Sequence, residues 1–204
     1  DGLTLSPTQA RAANASSVRR GLAGRARFAV ASYEQPLPIG SYAAAMAIES
    51  IEHAAHLGRA LLNLGRALEA GGVLVVVTDV LLEADGSQQR VIEQYRRHWC
   101  GPHTVWRPPV SLKRWTFLLG RSGLRLRRTV ALSDALYQRP RWALSFYFET
   151  LLAAHTTATA LGCERLAFQL SNQLGGVSRE LLLHTQTIGY TFFVAERRAR
   201  RRQA

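Results

Sequence analysis

The sequence predicts a doubly wound α/β domain, and three observations carry that prediction. Val73–Val77 is apolar on both faces, as a central strand of a parallel sheet is. Just before it Leu57, Leu61, Leu64 and Leu68 recur at helical spacing with Arg59, Asn63 and Arg66 between them, the pattern of a helix packed on a sheet. A second apolar run of strand length, Tyr42–Ile48, precedes that helix, so strand, helix and strand alternate.

The elements follow in order. Ser6 can cap a helix, Pro7 suits its first position and Gln9 can reach back as in a capping box, which predicts a helix over Pro7–Arg20. Gly21 and Gly24 stop it, and Ala26–Ala31 reads as a short buried strand. The loop over 36–40 leads into Tyr42–Ile48, and Gly71-Gly72 ends the leucine-rich helix. Beyond Asp79, Gln88–Trp99 reads as helix, 101–109 as loop, Ser111–Ser122 as a helix capped by Ser111 and closed by Gly123, and Leu124–Leu132 as a strand. Arg141–Gly162 and Leu166–Asn172 read as helices and Tyr190–Ala195 as a last strand. No internal repeat or low-complexity linker interrupts this order. The expectation is a single domain over 1–204, with 83–172 carrying helices that line or cover an acceptor site and 197–204 forming a basic tail.

Composition narrows the classes. The 204 residues include 47% hydrophobic and 20% charged residues, enough apolar material for a substantial core. No apolar run approaches the roughly 20 residues of a spanning helix and the front lacks a secretory pattern, so a cytoplasmic location is expected. Cys100 and Cys163 stand far apart, which implies neither a disulfide framework nor a zinc site. The net charge of +12 would suit a polyanionic partner. Lys113 is the only lysine, however, and the one dense basic cluster, Arg197, Arg198 and Arg200–Arg202, is terminal. The preference for arginine over lysine points to a GC-rich coding sequence as one source of that charge, and no specific nucleic-acid partner is expected.

Ligands of an open α/β sheet bind outside the carboxyl ends of its strands, where the loops diverge. Those ends are Thr4–Gln9, Ala31–Glu34, Glu49–His53 and Thr78–Val80. They carry Thr4, Gln9, Ser32, Tyr33, Glu34, Glu49, Glu52, His53 and Asp79, a set containing a histidine and four carboxylates able to move or hold protons. His53 and His56 with Glu52, or His98, Cys100 and His103, lack the spacing of a metal site, and none is expected.

In order and spacing, Gly2-Leu-Thr-Leu-Ser-Pro-Thr-Gln9, Ile48-Glu-Ser-Ile-Glu-His53 and Gly71-Gly-Val-Leu-Val-Val-Val-Thr-Asp79 resemble the strand ends of class I S-adenosylmethionine (SAM)-dependent methyltransferases, read from the family's second strand onward. Glu49-Ser-Ile-Glu-His53 with Thr78-Asp79 is similar to stretches of sugar and natural-product O-methyltransferases, although Glu52 stands where those have a first histidine. Ala31-Ser-Tyr-Glu-Gln35 and Glu52-His-Ala-Ala-His56 are similar to cyclopropane fatty-acid synthase relatives, whose next-strand His-x-Ile element is Thr78-Asp79-Val80 here. The later segments Ser111–Ser133 and Gly189–Arg197 resemble tocopherol, sarcosine and sugar methyltransferases.

The resemblance implies a Rossmann-like sheet, SAM as cofactor and a small-molecule acceptor methylated on oxygen, carbon or nitrogen. It implies that Thr4, Gln9, Ser32, Tyr33, Glu34 and Glu49 hold the cofactor, and that His53, Asp79 and Glu52 serve the acceptor, with either His53 or Asp79 as base. Tyr33 is open to a second reading as a packing aromatic, and the group Trp142, Phe146, Tyr147 and Phe148 reads either as helix packing or as a lid. The family's first strand and glycine-rich loop have no counterpart in this sequence. The expectation is therefore a chain that begins after them, has a gap in its sheet and binds SAM weakly on its own. A basic, non-catalytic α/β module binding nucleic acid or a protein is the alternative from another class. Oligomeric state and acceptor identity have no signal in the sequence.

Overall fold

A computed structural model describes residues 1–82, 86, 88–100, 109–133 and 139–198. In chain order these form β1 (Gly2–Thr4), α1 (Pro7–Arg19), β2 (Phe28–Val30), β3 (Tyr42–Ile48), a 3₁₀ turn (Ile51–His53), α2 (Leu57–Ala67) and β4 (Leu68–Leu81). They continue with α3 (Gln89–Tyr95), a π-helical turn (Arg96–Cys100), β5 (Val110–Ser111), α4 (Leu112–Arg121), β6 (Leu124–Ala131), α5 (Arg141–Ala160), α6 (Glu164–His184) and β7 (Ile188–Arg197). The predicted loop over 101–109 lies outside the described residues except for Pro109, and the tail beyond Arg198 lies outside them altogether.

The strands make two sheets. β1 and β2 pair in parallel, and a larger sheet runs β3-β4-β7-β6, with β5 added beside the end of β4. β3 and β5 are parallel to β4, whereas β7 runs antiparallel to both β4 and β6. Among the described residues β1 and β3 each have one strand partner, and Met46 and Ile48 of β3 are 70% and 54% exposed. Side chains join the sheets at both ends. The Tyr42 hydroxyl donates to Asp1 Oδ2 (2.8 Å) where β3 begins, and the Tyr33 hydroxyl donates to the Ser50 carbonyl (2.7 Å) just past where β3 ends.

Two cores flank the larger sheet. On one face Leu57 and Leu61 of α2 and Trp115 of α4 meet Leu74, Val76 and Phe193, with the Trp115 and Phe193 rings 5.4 Å apart. On the other, Tyr95, Phe148, Leu174, Leu181 and Ile188 pack α3, α5 and α6 together. Strand alternation separates them: Phe193 and Ala195 of β7 enter the first core, while Ile188 and Tyr190 face the second.

Several boundaries differ from the sequence reading, each for a physical reason. β4 spans 14 residues rather than five, because β7 pairs with it from Val73 to Leu81 and β5 extends its end. Gly71 and Gly72 lie inside the strand as a bulge: pairing jumps from Tyr42–Leu68 to Ala44–Val73, Gly71 has φ 80°, and a Cβ on Gly72 would meet the Tyr42 and Ala43 carbonyls at 3.1 Å. α6 starts at Glu164 and runs to His184, because Leu174, Val177, Leu181 and Leu182 continue an apolar face that the second core buries. Ser6 caps α1 by accepting from the Gln9 N–H (3.3 Å). Gln9 does not complete a capping box; its Oε1 accepts from the Thr4 hydroxyl (2.6 Å). Among the described residues no helix is long and apolar enough to cross a membrane.

Candidate active site at the strand ends

The residues predicted for cofactor binding fall into two groups. Thr4 ends β1 and is locked locally, its hydroxyl donating to Gln9 and accepting the Ser6 N–H (3.1 Å). Ser32, Tyr33 and Glu34 follow β2 and fasten that loop to the larger sheet. The Ser32 hydroxyl accepts the Glu34 N–H (3.1 Å), and both carboxylate oxygens of Glu34 accept backbone N–H groups, from Ala55 (2.7 Å) and His56 (3.0 Å). That carboxylate thus covers the amino end of α2 as a long-range cap. Tyr33 packs against the first core, and burial, followed by the charges of Glu52 and Glu34, pushes its hydroxyl up to about 12. Asn63 completes the fastening by donating to the Tyr33 (3.1 Å) and Gln35 (2.9 Å) carbonyls.

The turn after β3 brings Glu49, Glu52 and His53 beside β4. The Glu49 N–H donates to the Val77 carbonyl (2.9 Å), and its backbone has φ 44°, a left-handed conformation uncommon for a residue with a side chain. Glu52 is only 3% exposed and accepts from the Thr78 hydroxyl at 3.3 Å. Burial raises its carboxyl pKa, and Asp79 adds to the rise against the lowering effects of its backbone hydrogen bond, His53 and Thr78. His53 is exposed, and its Nδ1–H donates to the Cys100 carbonyl (3.3 Å), which leaves Nε2 as the acceptor of the neutral ring.

Asp79 does not sit past the end of its strand as predicted. It lies within β4, opposite Tyr190 of β7, and is 5% exposed. Its Oδ2 accepts from the Tyr95 hydroxyl (2.9 Å) and Arg179 Nε (2.7 Å), and its Oδ1 from Arg179 Nη2 (2.9 Å). Thr78 and Asp79 are strand neighbours and point to opposite faces, so Glu52 and Arg179 reach β4 from opposite sides. Among the described residues His53 and Asp79 share no hydrogen-bond partner; the segment Tyr95–Cys100 supplies one group to each.

Arg179, with Tyr95, Trp99 and Tyr190, is the part of this site that sequence reasoning missed. Its guanidinium lies 5.2 Å from the Trp99 ring centroid and 4.8 Å from that of Tyr190, and Nη2 also donates to Glu49 Oε1 at 3.3 Å. Burial opposes its charge, but hydrogen bonds and attraction from Asp79, then Glu49, outweigh it and raise the pKa of the guanidinium. One signal was available. An arginine three and four residues before Leu182 and Leu183 lies beside buried positions of a helix, which is where a charge must have a buried partner.

Other expectations resolve differently. Of the aromatic group on α5, Phe148 is in the second core, Tyr147 donates to Gln173 (2.8 Å), and Trp142 and Phe146 are 75% and 72% exposed. Among the described residues no cluster of metal-ligating side chains occurs. His98 donates or accepts at Ser171 (2.7 Å) and Gln94 (3.1 Å) in the helical layer, and burial, then His155 and Arg97, lowers its pKa to about 4. His103 lies outside the described residues. A recess of about 430 Å³ opens beside the amino end of α2, lined by His56, Arg59, Arg114, Leu118 and their neighbours. None of the predicted site residues lines it.

Known proteins share the fold of this chain and, over part of it, its sequence pattern. Residues 1–76 match the methyltransferase domain family. The fold superposes on the [4+2]-cyclase SpnF with a TM-score of 0.63 at 22% identity, covering 97% of this chain and 65% of that one. It superposes on the geranyl diphosphate C-methyltransferase of Streptomyces coelicolor A3(2), solved with Mg2+, geranyl diphosphate and S-adenosyl-L-homocysteine, with a TM-score of 0.68 at 18% identity, covering 96% and 64%. A third match is StiE O-MT residues 942-1257, at a TM-score of 0.66 and 20% identity, covering 97% and 59%. The chain thus spans about three fifths to two thirds of the length of these structures. The cyclase among them shows that this fold serves more than one chemistry. The first 76 residues thus match the methyltransferase domain family, and the described chain shares the fold of these structures.

Proposed function

We propose that this chain provides the strand-end crevice of an enzyme transferring a methyl group from SAM to oxygen, carbon or nitrogen of a small molecule. The observation that carries the reading is the order of polar groups along one rim. Thr4 and Gln9 follow β1, Ser32 to Glu34 follow β2, and Glu49 to His53 follow β3, all within the stretch that matches the methyltransferase domain. Hydroxyl, amide and carboxylate groups are the donors and acceptors that ribose hydroxyls need, so this set fits the nucleoside part of the cofactor. Thr4, Gln9, Ser32, Tyr33, Glu34 and Glu49 would hold it. When bound, the cofactor supplies a methyl group already activated on a sulfonium.

The chain's own task is then to align the acceptor and, for a hydroxyl, to take its proton. His53 suits that step best, because its Nδ1 is committed to the Cys100 carbonyl and Nε2 is left to accept. Glu52 stands beside it as a buried carboxyl whose raised pKa favours holding a proton. Asp79 serves as the anchor of Arg179 rather than as a free base. A cytoplasmic location goes with this reading, because the cofactor is a cytoplasmic metabolite.

Titrating S-adenosyl-L-homocysteine into the isotope-labelled chain, followed by amide NMR, tests the proposal. The expected result is weak binding, with a dissociation constant of about 1 mM, near −4 kcal/mol, and shifts concentrated at Thr4, Ser32–Glu34 and Glu49. Absence of shifts at those residues, with salt-sensitive shifts on the arginine-rich surface upon adding duplex DNA, would overturn it in favour of a polyanion-binding module.

A further inference from the structure

We propose that Arg179 is the positioning residue of the crevice, clamping Glu49 in its left-handed backbone conformation and Asp79 in its buried seat from helix α6. The inference rests on the methyl-transfer reading for its use but on independent geometry for its existence. Glu49 and Asp79 belong to different segments, one in the turn after β3 and one inside β4. A single planar guanidinium reaches both: Nε and Nη2 bind Asp79 as a fork at 2.7 and 2.9 Å, and the same Nη2 donates to Glu49 at 3.3 Å. The Arg179 side chain is 13% exposed and that of Asp79 2%, whereas Glu49 keeps 39%, so the clamp is rooted in the interior and grips a residue at the open rim.

The clamp is built to resist rotation. The Trp99 and Tyr190 rings lie against the guanidinium, and the Tyr95 hydroxyl occupies the remaining approach to Asp79 Oδ2. A left-handed backbone at a glutamate costs free energy and persists only where the surroundings over-determine it. Here the surroundings are the Val77 carbonyl on the backbone and, on the side chain, Arg179 together with the Tyr190 hydroxyl, which also interacts with Glu49. A lysine would keep the charge and lose the fork, because an ammonium is a point charge and cannot engage one carboxylate in two parallel bonds while holding a second. Arg179 therefore fixes the separation and aim of the carboxylate assigned to the cofactor relative to the β4 face of the site, without touching ligand itself.

The experiment compares wild type, Arg179→Ala and Arg179→Lys by NMR of the Glu49 amide and its N–H to Hα coupling, with and without 20 mM methylguanidinium. The expected result is a changed coupling at Glu49 in R179A, return toward the wild-type value with methylguanidinium but not with an equal concentration of methylammonium, and only partial return in R179K. The response of Glu49 to S-adenosyl-L-homocysteine should weaken at least about 10-fold in R179A, the scale on which supporting hydrogen bonds act at other sites. Glu49 signals unchanged in a folded R179A, or full restoration by R179K, would overturn the proposal. If wild-type Glu49 never responds to S-adenosyl-L-homocysteine, the cofactor reading fails, while the coupling still decides whether Arg179 positions Glu49. Should R179A not fold, R179K and the milder R179Q give the same comparison.

Discussion

Adjacent glycines in α6 offer a controlled test of how the helical layer supports the site. A Cβ on Gly175 would stand 2.7 Å from the His98 carbonyl oxygen, 2.8 Å from its carbon and 3.0 Å from the Trp99 nitrogen. A Cβ on Gly176 would meet nothing within 4 Å. The shortest of the first set of contacts is about 0.7 Å inside the 3.4 Å at which ordinary contact begins, and every atom in the set is backbone, so no side chain can swing away. Gly175→Ala must push the π-helical turn outward, at a cost of about 1 to 3 kcal/mol for overpacking. Both substitutions also gain about 0.5 to 1 kcal/mol from removing glycine from a helix. That gain cancels between the two variants. Urea denaturation should therefore find G176A slightly more stable than wild type and G175A less stable than G176A by about 1 to 3 kcal/mol. Because the turn carries both Trp99, which stacks on Arg179, and the Cys100 carbonyl that holds His53, G175A should also move the His53 ring resonances, and G176A should not. Equal stabilities for the two variants would refute the close approach on which the reasoning depends.

Two further outcomes follow from the electrostatics. Asp79→Asn leaves Arg179 facing Glu49 alone, a poorly compensated charge in a buried seat, and should destabilise the fold by about 3 to 5 kcal/mol in denaturant titrations, as losing one partner of a buried pair does; a loss below about 1 kcal/mol would show that the pair is open to water. Glu52 has its folded pKa raised above the unfolded value near 4.3, so its contribution to stability is fully present below that pH and is lost as pH rises through the folded value. Thermal melts of Glu52→Gln against wild type should accordingly diverge with pH, the variant gaining relative stability toward neutrality and none near pH 4, whereas a pH-independent difference would mean that Glu52 is ionised at little cost.

Local chemistry is what the sequence determined. Ser6 and Pro7 begin α1, Ser111 caps α4 by accepting the Arg114 N–H (3.3 Å), and the leucine spacing of α2 sets the face that meets the sheet. Val73–Val77 reads as a central strand because its residues alone are apolar on both sides, and the alternation of strand and helix then limits the fold to a few architectures. Strand ends in such a sheet are where function gathers, which is why Glu49, Glu52 and His53 could be named from order and spacing. Tertiary structure decided what those groups are bonded to. Asp79 looked like a residue past a strand end because the sequence of β4 carries no mark of β7, its antiparallel partner more than a hundred residues later. Nothing near Glu34 in the sequence marks it as the cap of α2, whose amino end the fold brings against both of its carboxylate oxygens. Arg179 had no role until α6 laid it between Trp99 and Tyr190 and over Asp79. Hydrogen bonds and ion pairs form between groups that packing brings within about 3 Å, and which distant groups meet at that range depends on the whole chain rather than on any segment of it.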